Sequence, residues 1–210
     1  MKQYLFFALN LLLALEGTSQ AKGDYMWQIG QNSHPQENPY ALSMVLDFNV
    51  LGINLDTFYR GMKMGYFNAS ISDVDGKLLV YSNGCQIKNG DHSNIPETMS
   101  LSPGETDFEW CLSNPSSGYP KFEGGLFISF FSDSIILLLH QRDYVLSNPT
   151  RIITDSLFYS SVQRDGDQYV LHEKTVPIVG DNLTDGNVEA VKASKPGAWW
   201  VIQGEKNSNR

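Results

Sequence analysis

The chain has 210 residues, of which 12% are aromatic and 18% are charged, and its net charge is −8. This length allows about one ordinary domain, and the composition is that of a folded chain rather than a disordered one. Nucleic acids and anionic membrane surfaces are bound by clustered Lys and Arg, and the sequence has no basic run, which argues against both as partners.

The first 21 residues have the pattern of a signal peptide. Lys2 supplies the positive charge, Tyr4–Leu15 supplies the apolar stretch, and Ser19–Ala21 supplies small residues for cleavage. The apolar stretch is shorter than the roughly 20 residues that cross a bilayer, and no later segment is longer. We therefore predict a signal peptide at 1–21 and a secreted or cell-surface domain over 22–210 without stable membrane insertion. An uncleaved anchor or a buried strand is the alternative for the first segment.

The mature chain begins with two short predicted strands. Tyr25–Gly30 is rich in aromatic residues, and Leu42–Asn49 is an apolar run of strand length. The residues between them, Gln31–Tyr40, include two prolines and two asparagines and are predicted to form a loop. Val50–Tyr66 shows no sustained period and is predicted to be a mixed connection.

Four hairpins are predicted after these strands, in Asn68–Gly84, Gly125–His140, Leu157–Ile178 and Val188–Gln203. The first is the clearest, because apolar and polar residues alternate into an Asp-Val-Asp-Gly turn in which Gly76 supplies the positive φ. The second is the most apolar part of the mature chain. Its β-branched and aromatic residues favour a buried hairpin over a single buried helix, which is the alternative.

The segment Asn89–Lys121 is dense in Ser, Pro, Gly and acidic residues and is predicted to be a long connection between sheets. The only two cysteines, Cys85 and Cys111, fit an oxidising compartment. A disulfide between them closes a loop of about 25 residues and stabilises the fold by about 3 kcal/mol in the chain-entropy account. Free buried thiols are the alternative.

Hairpins in series predict an all-β fold. Sheets of about four antiparallel strands, each formed from about 40–50 residues, are the blades of a β-propeller. The chain is long enough for about two blades and part of a third, so we predict a partial propeller that is incomplete at its C-terminal end. A β-sandwich is the alternative.

Several of these segments resemble the WD40-like β-propeller region that opens many secreted bacterial proteins, often ahead of PKD modules and a C-terminal sorting signal. The run ISDVDGKLLVYSNGCQIKN at Ile71–Asn89 is similar to its most conspicuous strand pair. Leu157–Ser160, Thr175–Leu183 and Val188–Ile202 resemble later stretches of that region in the same order. The chain departs from the pattern at Ala193, where the family has a histidine. The resemblance implies export and a truncated propeller, and it implies no particular activity.

Catalytic, cofactor-binding and metal-binding residues are not predicted. The aspartate pairs Asp73/Asp75 and Asp165/Asp167 have the spacing of the first ligands in a calcium-binding loop. The residues that follow each pair offer no further oxygen ligands, so both pairs are predicted to lie in turns. The four histidines lie far apart and lack zinc-ligand spacing. Glycoside hydrolysis needs two carboxylates at a suitable distance from each other. The candidates include Asp47, Asp56, Glu123 and Asp133, but the sequence does not show which two would lie close together.

Aromatic residues offer one candidate binding surface. A carbohydrate-binding platform could be formed by Trp199 and Trp200 together with Trp27 and Tyr25. Consecutive residues of a strand face opposite sides of the sheet, so the alternative is that these aromatic residues pack between blades. We predict a non-catalytic module with a binding or structural role toward a protein or glycan. An extracellular carbohydrate- or peptide-degrading enzyme and a gene fragment without independent function are the alternatives.

Overall fold

The computed structural model describes residues 24–30, 42–58, 61–113, 118–147 and 150–206. The predicted signal peptide and the predicted loop Gln31–Tyr40 lie outside these ranges. The described chain is mostly β and its sheets are antiparallel, which confirms the prediction of an all-β fold. Its few helical residues form a short helix, α1 (Glu105–Asp107), and a π-helical turn at Phe108–Leu112. No helix in these ranges is long and apolar enough to cross a membrane.

Twelve strands in the described ranges form four sheets that follow one another along the chain. Sheet A contains β1 (Met26–Gly30), β2 (Ser43–Asp47) and β3 (Asn54–Phe58), and sheet B contains β4 (Ala69–Ser72), β5 (Leu78–Ser82) and β6 (Ile87–Asn89). Sheet C contains β7 (Gly125–Phe130), β8 (Ile135–Ser147), β9 (Thr150–Asp165) and β10 (Gln168–Leu183). Sheet D contains β11 (Glu189–Lys192) and β12 (Trp199–Ile202). Within each sheet, every strand pairs with the next one in sequence.

Three apolar clusters separate the four sheets. Met26 of sheet A packs on a cluster that includes Leu78 and Tyr81 of sheet B. The largest cluster joins sheets B and C, and a third joins sheet C to Ala190 and Trp199 of sheet D. A sandwich has one core layer between two sheets, so this layered arrangement differs from the sandwich alternative.

The predicted hairpin at Gly125–His140 is confirmed, and its packing explains its composition. Phe127, Ile136 and Leu138 face the cluster toward sheet B, whereas their neighbours Ile128 and Leu139 face the cluster toward sheet D. Because side chains alternate along a strand, a sheet that is covered on both faces needs apolar residues at nearly every position. The other three predicted hairpins also form.

The prediction for Val50–Tyr66 was wrong in part, because β3 lies within it. This strand is at the edge of sheet A, and four of its five residues are exposed, so its sequence carries no apolar alternation. The hairpin of β9 and β10 is longer than predicted, with 16 residues in each strand. The added part of β9 includes Asp155, which forms an ion pair with Arg142 of the neighbouring strand β8 at an N–O distance of 2.7 Å.

Candidate functional site

The first strand of each sheet lies against the first strand of the next. Strand β1 contacts β4, β4 contacts β7, and β7 contacts β11. Two hydrogen bonds fix the first of these contacts, from Asn68 Nδ2 to the carbonyl oxygen of Gln28 (2.5 Å) and from Ser70 Oγ to that of Met26 (2.8 Å). The Trp199 indole N–H donates to the carbonyl oxygen of Ser129 at 3.1 Å, which ties sheet D to β7.

A groove runs along this row of first strands, and we call it the inner groove. It consists of adjoining cavities of about 480, 480 and 620 Å³. Each cavity is lined by residues of at least two sheets. Residues from all four sheets line the inner groove, and it is the candidate functional site.

One end of the inner groove is largely apolar. Trp27, Leu126 and Phe127 line it together with the polar side chains of Asn68 and Ser70. Trp27 is 50% exposed and packs edge-to-face on Phe48, with ring centroids 5.4 Å apart. A half-exposed indole held by a neighbouring ring is a rigid apolar surface for a ligand to contact.

The other end of the inner groove carries charges of both signs. Asp73, Asp133, Arg164 and Lys192 line it, and the Lys192 ammonium lies 5.4 Å from the centroid of the Trp199 ring. The Asp73 carboxylate already accepts two backbone N–H bonds of its turn, each of 2.9 Å. Lys192 and Asp133 remain the charged groups best placed to meet a polar ligand.

Ser72 adds a polar atom to the wall of the middle cavity. Its residue is 3% exposed, and its hydroxyl has no hydrogen-bond partner among the described residues. Leaving a buried hydroxyl unbonded costs about 1–3 kcal/mol, and a bound water or ligand atom would recover that free energy. The hydroxyl oxygen itself has almost no accessible surface, so it is a buried, unbonded atom of the cavity wall.

The buried histidine lies away from the inner groove. His140 is 0% exposed and shares hydrogen bonds with Ser102 Oγ (2.9 Å at Nδ1) and Ser160 Oγ (3.0 Å at Nε2). Burial lowers the pKa of His140 to about 3, so the ring is neutral. Both ring nitrogens are occupied, which gives a satisfied core histidine. His172 is exposed.

A buried lysine forms the second polar centre. Lys121 Nζ binds the Asp143 carboxylate, the Asp185 carboxylate at 2.6 Å and the Thr154 hydroxyl at 2.8 Å. The side chain of Lys121 is 1% exposed, whereas that of Asp185 is 82% exposed. This network joins the start of sheet C to the connection before sheet D, and its role is structural.

Asp107 is the third buried polar group. Its Oδ2 accepts a 2.5 Å hydrogen bond from Ser100 Oγ, while its Oδ1 has no partner among the described residues. Burial raises the pKa of the Asp107 carboxyl, and the Ser100 bond opposes that rise in part. It does not line the inner groove.

The structure separates most of the acids that the sequence offered. Asp47 and Asp56 lie in sheet A, Asp133 lies in the β7–β8 turn, and Glu123 precedes β7. The four acids of the two predicted turns lie at turns, with Asp165 as the last residue of β9, and Gly76 has the expected positive φ of 87°. At this φ a side chain is strained, and a Cβ at Gly76 would lie 1.8 Å from Asn49 Oδ1, so the Asn49 side chain would also have to move. Within the described ranges, no group of three or more His, Cys, Asp or Glu could hold a metal.

The neighbouring residues Trp199 and Trp200 point to opposite faces of β12, as the alternation of side chains along a strand requires. Trp199 faces the inner groove, whereas Trp200 faces away from it and is 70% exposed. Trp27 lines the opposite end of the inner groove from Trp199, so these residues do not form one continuous platform.

A second exposed aromatic group was missed from the sequence. Tyr66 packs edge-to-face on Trp110 and on Phe122, with centroid distances of 6.2 and 5.1 Å. Trp110 precedes Cys111, which forms a disulfide with Cys85 and so holds the π-helical turn against sheet B. Only the position of Trp110 beside a cysteine hinted at this cluster.

Comparison with family models, curated proteins and solved structures finds no match to this chain. The resemblance to a WD40-like propeller region therefore stays a prediction.

Proposed function

We propose that this chain is a non-catalytic binding module of a secreted or cell-surface protein, built as part of a β-propeller. The observation that carries the proposal is the row of first strands, in chain order, along a single groove. Export is supported by the leader-like pattern of residues 1–21 and by the disulfide, since disulfides persist in oxidising compartments.

The propeller part of the proposal is supported by the sheet order. A propeller is a series of antiparallel meander sheets around a central channel. Sheet C has the four strands of one such blade, and sheets A, B and D have three, three and two. The row of first strands corresponds to the inner strands of the blades, and the inner groove corresponds to an open central channel.

Binding is favoured over catalysis by where the reactive side chains lie. His140 and Lys121, which could otherwise donate or accept protons, are buried and fully hydrogen-bonded away from the inner groove. The groove walls instead offer an exposed indole and side chains of opposite charge. Apolar surface with a few fixed polar groups is typical of ligand sites. A protein segment or a glycan both match this chemistry.

A binding screen with matched variants tests the proposal. Immobilised oligosaccharides and peptides are probed with the exported chain, and we expect retention by at least one of the two classes. Trp27→Ala should weaken that binding at least tenfold, because it removes the indole from the inner groove. Trp110→Ala, an indole outside the groove, is the control and should leave binding unchanged. Binding that ignores Trp27→Ala, or cleavage of the retained ligand, would contradict the proposal.

A further inference from the structure

Lys121 is a buried amine that takes no part in the inner groove. Its side chain is 1% exposed, although a lysine is almost never fully buried unless its charge is paired. Its Nζ atom contacts two carboxylates, that of Asp143 and, at 2.6 Å, that of Asp185. A lysine amine beside a carboxyl group is a nucleophile beside an electrophile, so this contact can lead to a covalent bond as well as to an ion pair.

The two carboxylates that Lys121 contacts lie in different surroundings. The Asp143 side chain is 8% exposed, whereas that of Asp185 is 82% exposed. Charges that are removed from water cost free energy, and a neutral amide between Lys121 and Asp143 would eliminate two buried charges at once. The Asp185 carboxylate keeps its hydration, so an amide at Asp185 would gain much less. Burial therefore selects Asp143 as the electrophile and leaves Asp185 as a base in contact with solvent.

Several contacts hold the Asp143 carboxyl group against the amine. The register of β8 with β9 shifts between Arg142 and Asp143, and a bulge of this kind redirects side chains. The Asp143 backbone N–H donates to the Tyr119 hydroxyl at 2.8 Å, and the Thr154 hydroxyl donates to the Asp143 carboxylate at 3.2 Å. A hydrogen bond to the carboxylate stabilises the negative charge that develops on its oxygen when an amine attacks.

The lysine side chain is held as firmly as its partner. Nζ donates to the Thr154 hydroxyl at 2.8 Å, and the aliphatic stem packs on Gly124, where a Cβ would lie 2.6 Å from Lys121 Cγ and Cδ. The amine and the carboxyl group are thus in contact before any reaction. Two reactants that are held together in this way react in a unimolecular step, which removes much of the entropic barrier.

We propose that Lys121 and Asp143 form an intramolecular isopeptide bond, with Asp185 as the proton acceptor. The Lys121 ammonium gives a proton to the Asp185 carboxylate, and the free amine then attacks Cγ of Asp143. The Nζ–Cγ bond forms as one Cγ–O bond of Asp143 breaks, and Asp185 returns its proton to the departing oxygen. That oxygen leaves as water with two of the three ammonium protons, and the third stays on the amide nitrogen. The reaction needs no oxidant, reductant or other reactant, and it does not depend on a ligand in the inner groove.

The mass of the denatured chain tests this proposal. After the disulfide is reduced, the wild-type chain should be lighter than its amino-acid sequence requires by the mass of one water molecule. Proteolysis and tandem mass spectrometry should identify a branched peptide that joins Lys121 to Asp143. Lys121→Met and Asp143→Ala should each restore the full mass, because each removes one of the two reacting groups.

Asp185→Ala tests the mechanism without disturbing the buried groups, because the Asp185 side chain is exposed. It should lower the rate of bond formation by about tenfold or more, since the proton acceptor is lost. Asp181→Ala, which removes an exposed acid of β10 outside the Lys121 network, is the control and should react as the wild type does. Circular dichroism checks that both variants are folded. A folded wild-type chain of full mass, a bond to Asp185 instead of Asp143, or an unchanged rate in Asp185→Ala would each overturn the proposal.

Discussion

The central sheets and the end sheets are built on the same antiparallel meander, but they are covered differently. Sheets B and C have an apolar cluster on each face, whereas sheets A and D have one covered face and one exposed face. Strand β7 and the first half of β8 are buried on two faces and are nearly continuous apolar runs, whereas β3 and β12 have exposed side chains. The centre of the stack should therefore carry most of the stability, and the ends should carry the interactions with other molecules.

The largest effect is expected in the buried polar network of the centre. Lys121→Met should lower the free energy of unfolding by about 3–5 kcal/mol, because it leaves the Asp143 carboxylate buried without its cation. Urea unfolding monitored by circular dichroism measures the change. Lys77→Met, at an exposed turn position, is the control and should change stability little. A loss below about 1 kcal/mol for Lys121→Met would show that the network contributes little.

Substitutions of two leucines allow the stability of the centre of the stack to be compared directly with that of one end. Leu138 is 0% exposed in sheet C, and Leu55 is 52% exposed in sheet A. Leu138→Ala should cost about 2–5 kcal/mol through the lost burial and the cavity it leaves. Leu55→Ala should cost less than about 1 kcal/mol in the monomer. Equal costs by denaturant unfolding would remove the distinction between centre and ends.

The disulfide should contribute about as much as a core leucine. Replacing both Cys85 and Cys111 with Ala should lower the free energy of unfolding by about 3 kcal/mol, because the unfolded chain regains the freedom of the closed loop. Reduction of the wild-type chain should produce the same loss. The reductant should not change the stability of the double variant. If it destabilised the wild-type chain and the double variant equally, the loss would not be due to this disulfide.

The smallest effect near neutral pH is a pH dependence that comes from the centre of the stack. The pKa of His140 in the folded chain is about 3, below the ordinary value of 6.5, so between these values the unfolded chain binds a proton that the folded chain does not. Stability should therefore fall as the pH is lowered through this window, with His140 contributing up to about 1.4 kcal/mol per pH unit. The His140→Gln variant should show a shallower slope than wild type. His172→Gln, at an exposed position, should keep the wild-type slope.

Sequence patterns predicted best where burial is strongest. The hairpin of β7 and β8 was identified because nearly every residue is apolar, and the β4–β5 hairpin was identified because Gly76 marks its turn. The opposite directions of Trp199 and Trp200 followed from strand alternation alone. Strand β3 was missed because an edge strand exposed on both faces needs no apolar period.

The candidate site was much harder to predict, because it depends on how distant segments pack. The inner groove arises only when β1, β4, β7 and β11 lie side by side, and no local pattern specifies that neighbourhood. The Lys121 network likewise joins residues that are far apart in sequence, through Asp143 and Asp185. Individual groove residues such as Ser72 look ordinary in the sequence and gain meaning only from burial.

The order of the sheets is the claim on which the account depends, and nuclear Overhauser contacts measure it most directly. In a uniformly labelled chain, we expect contacts between the first strands in the order β1 to β4, β4 to β7 and β7 to β11, with the Trp199 indole N–H close to Ser129. Contacts that instead join sheet A to sheet C across a single core, as in a two-sheet sandwich, would contradict it.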